Sequence, residues 1–259
     1  MELDYKGIKI HYTAEGKGTS IVLLHGFLEN LSIWDSLKDE LISRYRVVCI
    51  DLLGHGATGC LGYVHSMEEM AMAVRFVIDH LKIRKAVFAG HSMGGYVALA
   101  YAEEFPDDVK ALILVNSTPL ADSDEKKLNR LRAIKAVKQN HKNFVRLGVM
   151  NLFRPKNRKI FADEIKALKS EALKTPVQGI VAALEGMRER PDREVLMHFT
   201  PFPKMVILGK KDPVMDAGML AQRLQDTSVE IVEFPDGHMS FIENKVQFID
   251  IFKVFLKKI

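Results

Sequence analysis

The sequence predicts an α/β fold: a mostly parallel, eight-stranded sheet with helices on both faces, interrupted by a helical insertion. Three observations carry that expectation. Short, continuously apolar runs alternate with amphipathic segments, as strands buried on both faces of a parallel sheet require. The strand signal then disappears between about Pro119 and Pro203, where only helical patterns remain. Finally, 259 residues that are 47% hydrophobic and 27% charged can bury one large core and are too apolar for a disordered chain.

The elements follow in order. Residues 2–15 read as two short strands about Gly7, and "TSIVLLHG" as an apolar strand ending in glycine. Leu31, Trp34, Leu37 and Leu41 then mark one side of a helical segment, followed by the strand "YRVVCIDL". The helix "SMEEMAMAVRFVIDHL" opens on Ser66 with Glu69 three residues later, the spacing of a capping box. Next come the strand "KAVFAGH", a helix from about Met93, and the strand "VKALILVNS". Within the insertion, "EKKLNRLRAIKAVKQNH", "HKNFVRLGVMNLF", "FADEIKALKSEALK" and "VQGIVAALEGMRE" are helical, because a structureless loop of that length is improbable in a compact domain. The alternation resumes with strand "PKMVILGKKD", helix "DAGMLAQRLQ" and strand "VEIVEFPDGH". A last helix carries Val246, Phe248, Ile249, Phe252, Phe255 and Leu256 on an apolar face. One core of residues 1–118 and 203–259 is therefore expected, with a helical insertion at 119–202.

Composition limits the function classes. The amino terminus has no apolar stretch after a basic start, and no apolar run approaches the roughly 18 residues of a membrane span, so a soluble, cytoplasmic protein without membrane insertion is expected. Cys49 and Cys60 have neither a disulfide framework nor zinc-ligand spacing, and a net charge of +4 does not call for nucleic acid. A monomer or homodimer is expected.

The chemistry centres on "GHSMG" at residues 90–94, which lies between an apolar strand and a helix. In that context Gly-x-Ser-x-Gly is a tight turn that strains the serine backbone and projects Ser92 into a cleft. A serine hydroxyl is a weak nucleophile until a base takes its proton and a carboxylate orients that base. Among nine histidines, His238 in "EFPDGHMSF" follows a late strand at the carboxyl edge, where open α/β sheets collect their sites. Asp212 in "VILGKKDPV" also directly follows an apolar strand, whereas the preceding strand ends in Asn116, which is not an acid. A tetrahedral intermediate needs two donors for its oxyanion. The Met93 amide at a helix start and the Phe27 amide after "IVLLHG" are the candidates. His91 reads as a packing or hydrogen-bonding neighbour rather than a second base.

Together "LLHGF", "DLLGHGAT", "GHSMGG", "LGKKDPV" and "DGHMSFIEN" resemble the α/β-hydrolase-fold serine hydrolases along the whole chain. The resemblance implies Ser92 as nucleophile, Asp212 and His238 as its partners, an oxyanion hole from the Phe27 and Met93 amides, and a helical cap over the site. Thr58 and Asn244 depart from a serine and a following proline common among relatives, and neither position carries the reaction. Asp51 and His55 read as turn-shaping residues. Because the nucleophile position holds serine rather than aspartate, haloalkane and epoxide hydrolysis are disfavoured.

The implied reaction is hydrolysis of small or medium carboxylic esters through an acyl-enzyme, requiring neither metal nor organic cofactor. A thioesterase, a lactonase, a lyase of the menaquinone-pathway type and a small-molecule receptor on the same fold are the alternatives. Lys126, Lys127, Arg130, Arg132, Lys135, Lys138, Lys142 and Arg146 make the first part of the insertion basic. They form either a solvated helix face or a surface that attracts an anionic ester or thioester. Leu147, Val149, Met150, Leu152 and Phe153 could line an acyl pocket, with Leu147, Met150, Phe153 and Phe27 the candidate substrate-binding residues, although helical spacing suits core packing at least as well for most of them.

Overall fold

The computed structural model describes residues 1–259. Its eight strands are β1 (Glu2–Tyr5), β2 (Ile8–Glu15), β3 (Ser20–Leu24), β4 (Arg46–Ile50), β5 (Ala86–His91), β6 (Val109–Val115), β7 (Lys204–Gly209) and β8 (Glu230–Phe234). They form one sheet in the order β1-β2-β4-β3-β5-β6-β7-β8. The first two strands add antiparallel, and every pair from β4 onward in that order is parallel.

Eleven α-helices connect and cover the strands: α1 (Asp35–Leu41), α2 (Met67–His80), α3 (Met93–Glu104), α4 (Asp124–Gln139), α5 (His141–Asn151), α6 (Ala162–Ala172), α7 (Val177–Glu189), α8 (Glu194–Phe199), α9 (Ala217–Leu224), α10 (Ser240–Glu243) and α11 (Lys245–Leu256). The Ser66 cap forms as its spacing predicts, its hydroxyl accepting from the Glu69 amide at 3.1 Å. Five helices, α4 to α8, fill the interval between β6 and β7, where the sequence loses its strand pattern. The short α8 and α10 are additions to the expected elements; six and four residues give too little periodicity to be recognised from sequence.

The pleat explains the continuously apolar strands. In β3, Val22 and Leu24 belong to one core while Ile21 and Leu23 belong to the other, on the opposite sheet face. The first core is packed by α2 and α3. Helix α3 buries every residue from Met93 to Ala102, so its sequence is apolar all round rather than amphipathic. The second core contains Trp34 and the α11 aromatics Phe248, Phe252 and Phe255. Trp34 is fully buried 5.4 Å from Phe241 and 6.5 Å from Phe248, ring centre to ring centre. Burial on that scale makes truncation to alanine worth about 3–5 kcal/mol. Val246 departs from the expected apolar face and is exposed, because it lies about 200° around the helix from Phe248.

No helix is long and apolar enough to cross a membrane. The parallel topology sends the loops after β3, β5, β6, β7 and β8 to one sheet edge. Phe27, Ser92, Asn116, Asp212 and His238 lie on those loops.

Candidate active site

The turn after β5 holds Ser92 at φ 47° and ψ −113°, a left-handed conformation that ordinary residues avoid. Surrounding contacts impose it. The Ser92 amide donates to the Val115 carbonyl at 2.9 Å, and its own carbonyl accepts from Ser117 Oγ at 2.7 Å and the Gly95 amide at 2.9 Å. The flanking glycines are required by close approach. A Cβ on Gly90 would sit 2.2 Å from the Gly94 carbonyl, and one on Gly94 would sit 2.3 Å from the Leu24 carbonyl. Helix α3 therefore starts hard against the ends of β3 and β5, with the Met93 amide at its first turn.

Asp212 and His238 meet although 26 residues separate them, because β7 and β8 are parallel neighbours. His238 Nδ1 lies 2.7 Å from Asp212 Oδ2, with both side chains enclosed. The other carboxylate oxygen accepts the Val214 and Met215 amides at 2.8 and 3.2 Å. Asn116 Nδ2 donates to Asp212 Oδ2 at 3.1 Å and to the Gly237 carbonyl at 3.2 Å. Burial alone would raise the Asp212 carboxyl, but the charge and hydrogen bond of His238, with these donors, hold it below the usual aspartate value. Asn116 is thus a carboxylate-orienting residue that the sequence reading passed over.

Ser92 and His238 line one pocket of about 90 Å³, together with Phe27, Glu29, His91, Tyr96, Arg130, Leu152, Met187 and Val214. A larger apolar groove of about 430 Å³ on the far side of Glu29 contains neither Ser92 nor His238. The loop after β3 turns through Leu28 at φ 63°, and the Gly26 amide donates to Glu29 Oε2 at 2.6 Å. Glu29 Oε2 also lies 2.9 Å from His91 Nδ1, whose Nε2 is 3.0 Å from the His238 carbonyl. Burial would lower His91, but Glu29 raises it above its ordinary value; burial would raise Glu29, but His91 lowers it. Both ring nitrogens of His91 face acceptor oxygens, the carboxylate of Glu29 and the carbonyl of His238, which is the arrangement of a doubly protonated imidazole paired with a buried carboxylate.

The structure brings Phe27, Ser92, Met93, Asp212 and His238 to one place, but not all the expected insertion residues. Leu147 is exposed, because Val145 and Val149 define the buried side of α5 and Leu147 lies between them on the opposite side. Met150 is half-buried outside the pocket, and Phe153 lies beyond the end of α5, buried beside Phe161 in the second core. Leu152, Met187 and Arg130 are the insertion residues that reach the pocket. Leu152 also accepts the His238 amide at 3.0 Å, tying the insertion to the histidine loop. Asp51 shapes its turn as expected, accepting the Leu31 and Ala57 amides at 2.8 and 2.9 Å.

A strained serine at a strand-to-helix turn, on a parallel sheet with a neighbouring Asp–His pair, matches one family. Residues 19–245 match the alpha/beta hydrolase fold, and the chain belongs to that family. The dihydrolipoyllysine-residue acetyltransferase component of an acetoin cleaving system from Pseudomonas putida is 30% identical over 247 residues, 93% of this chain; the match spans 64% of that relative's length. The 3-oxoadipate enol-lactonase 2 of Acinetobacter baylyi is 24% identical over 95% of this chain and 92% of its own. Among solved structures, a thermophilic esterase from Thermogutta terrifontis with malate bound superposes with a TM-score of 0.90 at 28% identity, covering 99% of this chain and 96% of that one.

Proposed function

We propose that this hydrolase-fold protein cleaves carboxylic esters of small or medium acyl chain through an acyl-enzyme on Ser92. The observation that carries the reading is the enclosed His238–Asp212 contact facing the same pocket as the strained serine. The 90 Å³ volume favours the smaller acyl groups. Residues 119–202 act as a cap over a core of residues 1–118 and 203–259.

In the first half-reaction Ser92 Oγ attacks the ester carbonyl while His238 Nε2 accepts the hydroxyl proton. Asp212 Oδ2 accepts a hydrogen bond from Nδ1–H and so fixes the imidazole tautomer with Nε2 as the base, the proton staying on Nδ1. The Phe27 and Met93 amides, neither of which donates within the backbone network, stabilise the oxyanion. Collapse breaks the bond to the leaving oxygen, which takes the proton from His238. Water then attacks the acyl-enzyme with His238 again as base, releasing the acid and restoring Ser92.

A lactone follows the same steps with its leaving alcohol still tethered, and the similarity to an enol-lactonase supports extending the substrate class to lactones. The test is initial rate on p-nitrophenyl esters from acetate to decanoate, for the parent and Ser92→Ala. Ser92-dependent turnover favouring short chains is expected. A folded parent that turns over none of these esters would transfer the assignment to a thioesterase, lyase or receptor.

A further inference from the structure

The pocket of Ser92 and His238 is lined by one arginine, Arg130, which shares its carboxylate partner with a second arginine outside the lining. Arg130 of α4 and Arg190, just after α7, converge on one carboxylate, Asp122, whose side chain is almost completely enclosed. Arg130 Nε donates to Asp122 Oδ2 and its Nη2 to Asp122 Oδ1 at 3.3 Å. Arg190 Nη2 lies 2.8 Å from the same Oδ1. Burial works to raise the Asp122 carboxyl, but Arg130 and then Arg190 bring it below its ordinary value, so it stays ionised.

Two guanidiniums and one carboxylate leave one positive charge in excess. The donor count is also unbalanced, since each guanidinium has five N–H groups. Arg190 uses its remaining reach on the Met187 and Leu120 carbonyls, at 2.7 and 3.1 Å, and packs 3.9 Å over the Tyr96 ring. Its Nε, in a residue 5% exposed, has no partner. Arg130 Nη1 finds only the Met187 sulfur at 3.4 Å, a weak acceptor. Of these, Arg130, Met187 and Tyr96 line the pocket that contains Ser92 and His238.

The other carboxylates are directed elsewhere: Glu29 lies against His91 and Asp212 against His238, and neither comes within 4 Å of Arg130 or Arg190. The pocket thus offers a guanidinium edge with unsatisfied donors to whatever lies against Ser92. A carboxylate is the acceptor whose charge and oxygen geometry complete it.

Building on the ester-hydrolase reading, we infer that Arg130 is a specificity-determining residue that binds a carboxylate carried by the substrate a few bonds from the scissile carbonyl. The substrate class is then short hemiesters and carboxylated lactones rather than neutral alkyl esters. The Arg130–Asp122 contact holds the guanidinium in place, and Nη1 supplies the free donors. Of the other basic residues of α4, Lys126, Arg132, Lys135 and Lys138 are exposed and Lys127 is half-buried, and none of them lines the pocket of Ser92.

The test compares kcat/KM for monomethyl succinate and a neutral ester of similar size, methyl 4-methylpentanoate, in the parent, Arg130→Gln, Arg130→Lys and Arg132→Gln. The parent should prefer the anion by about tenfold or more, the strength expected of a charge-assisted hydrogen bond. Arg130→Gln should collapse that ratio towards one, mainly through KM, whatever it does to the neutral ester. Arg130→Lys should restore part of it, and the exposed Arg132→Gln should leave it unchanged. Equal rates for both esters in the parent, or a ratio unaltered by Arg130→Gln, would overturn the inference. Succinate binding by calorimetry gives a readout independent of turnover. Binding by the parent that is lost in Arg130→Gln supports the carboxylate site even if neither ester is hydrolysed, in which case only the ester-hydrolase reading fails. No binding together with no turnover overturns both.

Discussion

Replacing Ser92 by glycine should stabilise the protein while abolishing its hydrolysis. At φ 47° and ψ −113° the serine occupies backbone space close to the first central position of a type II′ turn, where glycine sits without strain. A non-glycine residue held in so sparse a region costs about 1–3 kcal/mol. Glycine returns that energy but loses more conformational freedom on folding, a debit of roughly 0.5–1 kcal/mol. The difference leaves a net gain of about 0.5–2 kcal/mol, or a Tm rise of about 1–8 °C for a chain of this size.

The control is Ser92→Ala, which removes the same hydroxyl and retains the strain. Both variants should lose hydrolysis by about 10⁴-fold or more, since in the proposed mechanism Ser92, His238 and Asp212 act as a unit. Only glycine should raise Tm. The assay is thermal unfolding by circular dichroism beside initial rates on p-nitrophenyl acetate. If glycine were no more stable than alanine, the strain would not be stored at this turn; if either variant kept its rate, Ser92 would not be the nucleophile.

Asp212→Asn should lower kcat by about 10⁴-fold, because the amide favours the wrong imidazole tautomer. It should also flatten the acid limb of stability. The folded Asp212 value lies below its ordinary 3.8, so its contribution is present above 3.8 and lost as pH falls through the folded value; chemical denaturation from pH 5 downward would show it. Asn116→Ala removes a hydrogen bond to a charged oxygen, worth about 1.5–3 kcal/mol, and should reduce kcat/KM about tenfold or more with the fold retained by circular dichroism; a rate within twofold of the parent would deny Asn116 any role in orienting Asp212. Glu29→Gln should destabilise by about 1–3 kcal/mol. His91 is raised above 6.5 by Glu29, so that part of the stability is present below pH 6.5 and is lost as pH rises through the folded value. The Tm gap between parent and Glu29→Gln should therefore narrow on the alkaline side; a gap that widens there refutes the ion pair.

The strands and the candidate triad were legible because each reports locally. Ser92, Asp212 and His238 each follow an apolar strand, and a parallel sheet delivers such loop residues to one edge. Asn116 gave no comparable signal. Its contact with Asp212 crosses 96 residues and depends on the register that sets Val115 beside Ile207. Arg130 was visible only as one of eight basic residues. What separates it from them is the pairing with Asp122 and the sulfur of Met187, and neither is implied by helical spacing. The expectation for Phe153 failed for a related reason. Its position was read as a continuation of α5, but the helix stops at Asn151, and beyond that point periodicity carries no information about direction.

The buried Glu29–His91 pair shows what the fold sacrifices for the site. Taking two charges out of water costs several kcal/mol per ion, and an apolar pair of equal volume is often as stable or more so. Here Glu29 even leaves Oε1 buried without a partner. Yet the pair touches three of the loops that carry candidate catalytic groups. Glu29 Oε2 holds the Gly26 amide one residue before Phe27, His91 immediately precedes Ser92, and His91 Nε2 reaches the His238 carbonyl. A shift in any of these loops would lengthen a charge-assisted contact between two side chains that are almost fully enclosed. Apolar side chains would fill the same volume but tolerate sliding by tenths of an ångström, because dispersion has no preferred direction. Hydrogen bonds weaken steeply with angle, so this pair converts an electrostatic cost into a fixed spacing between the Phe27 amide, Ser92 and His238.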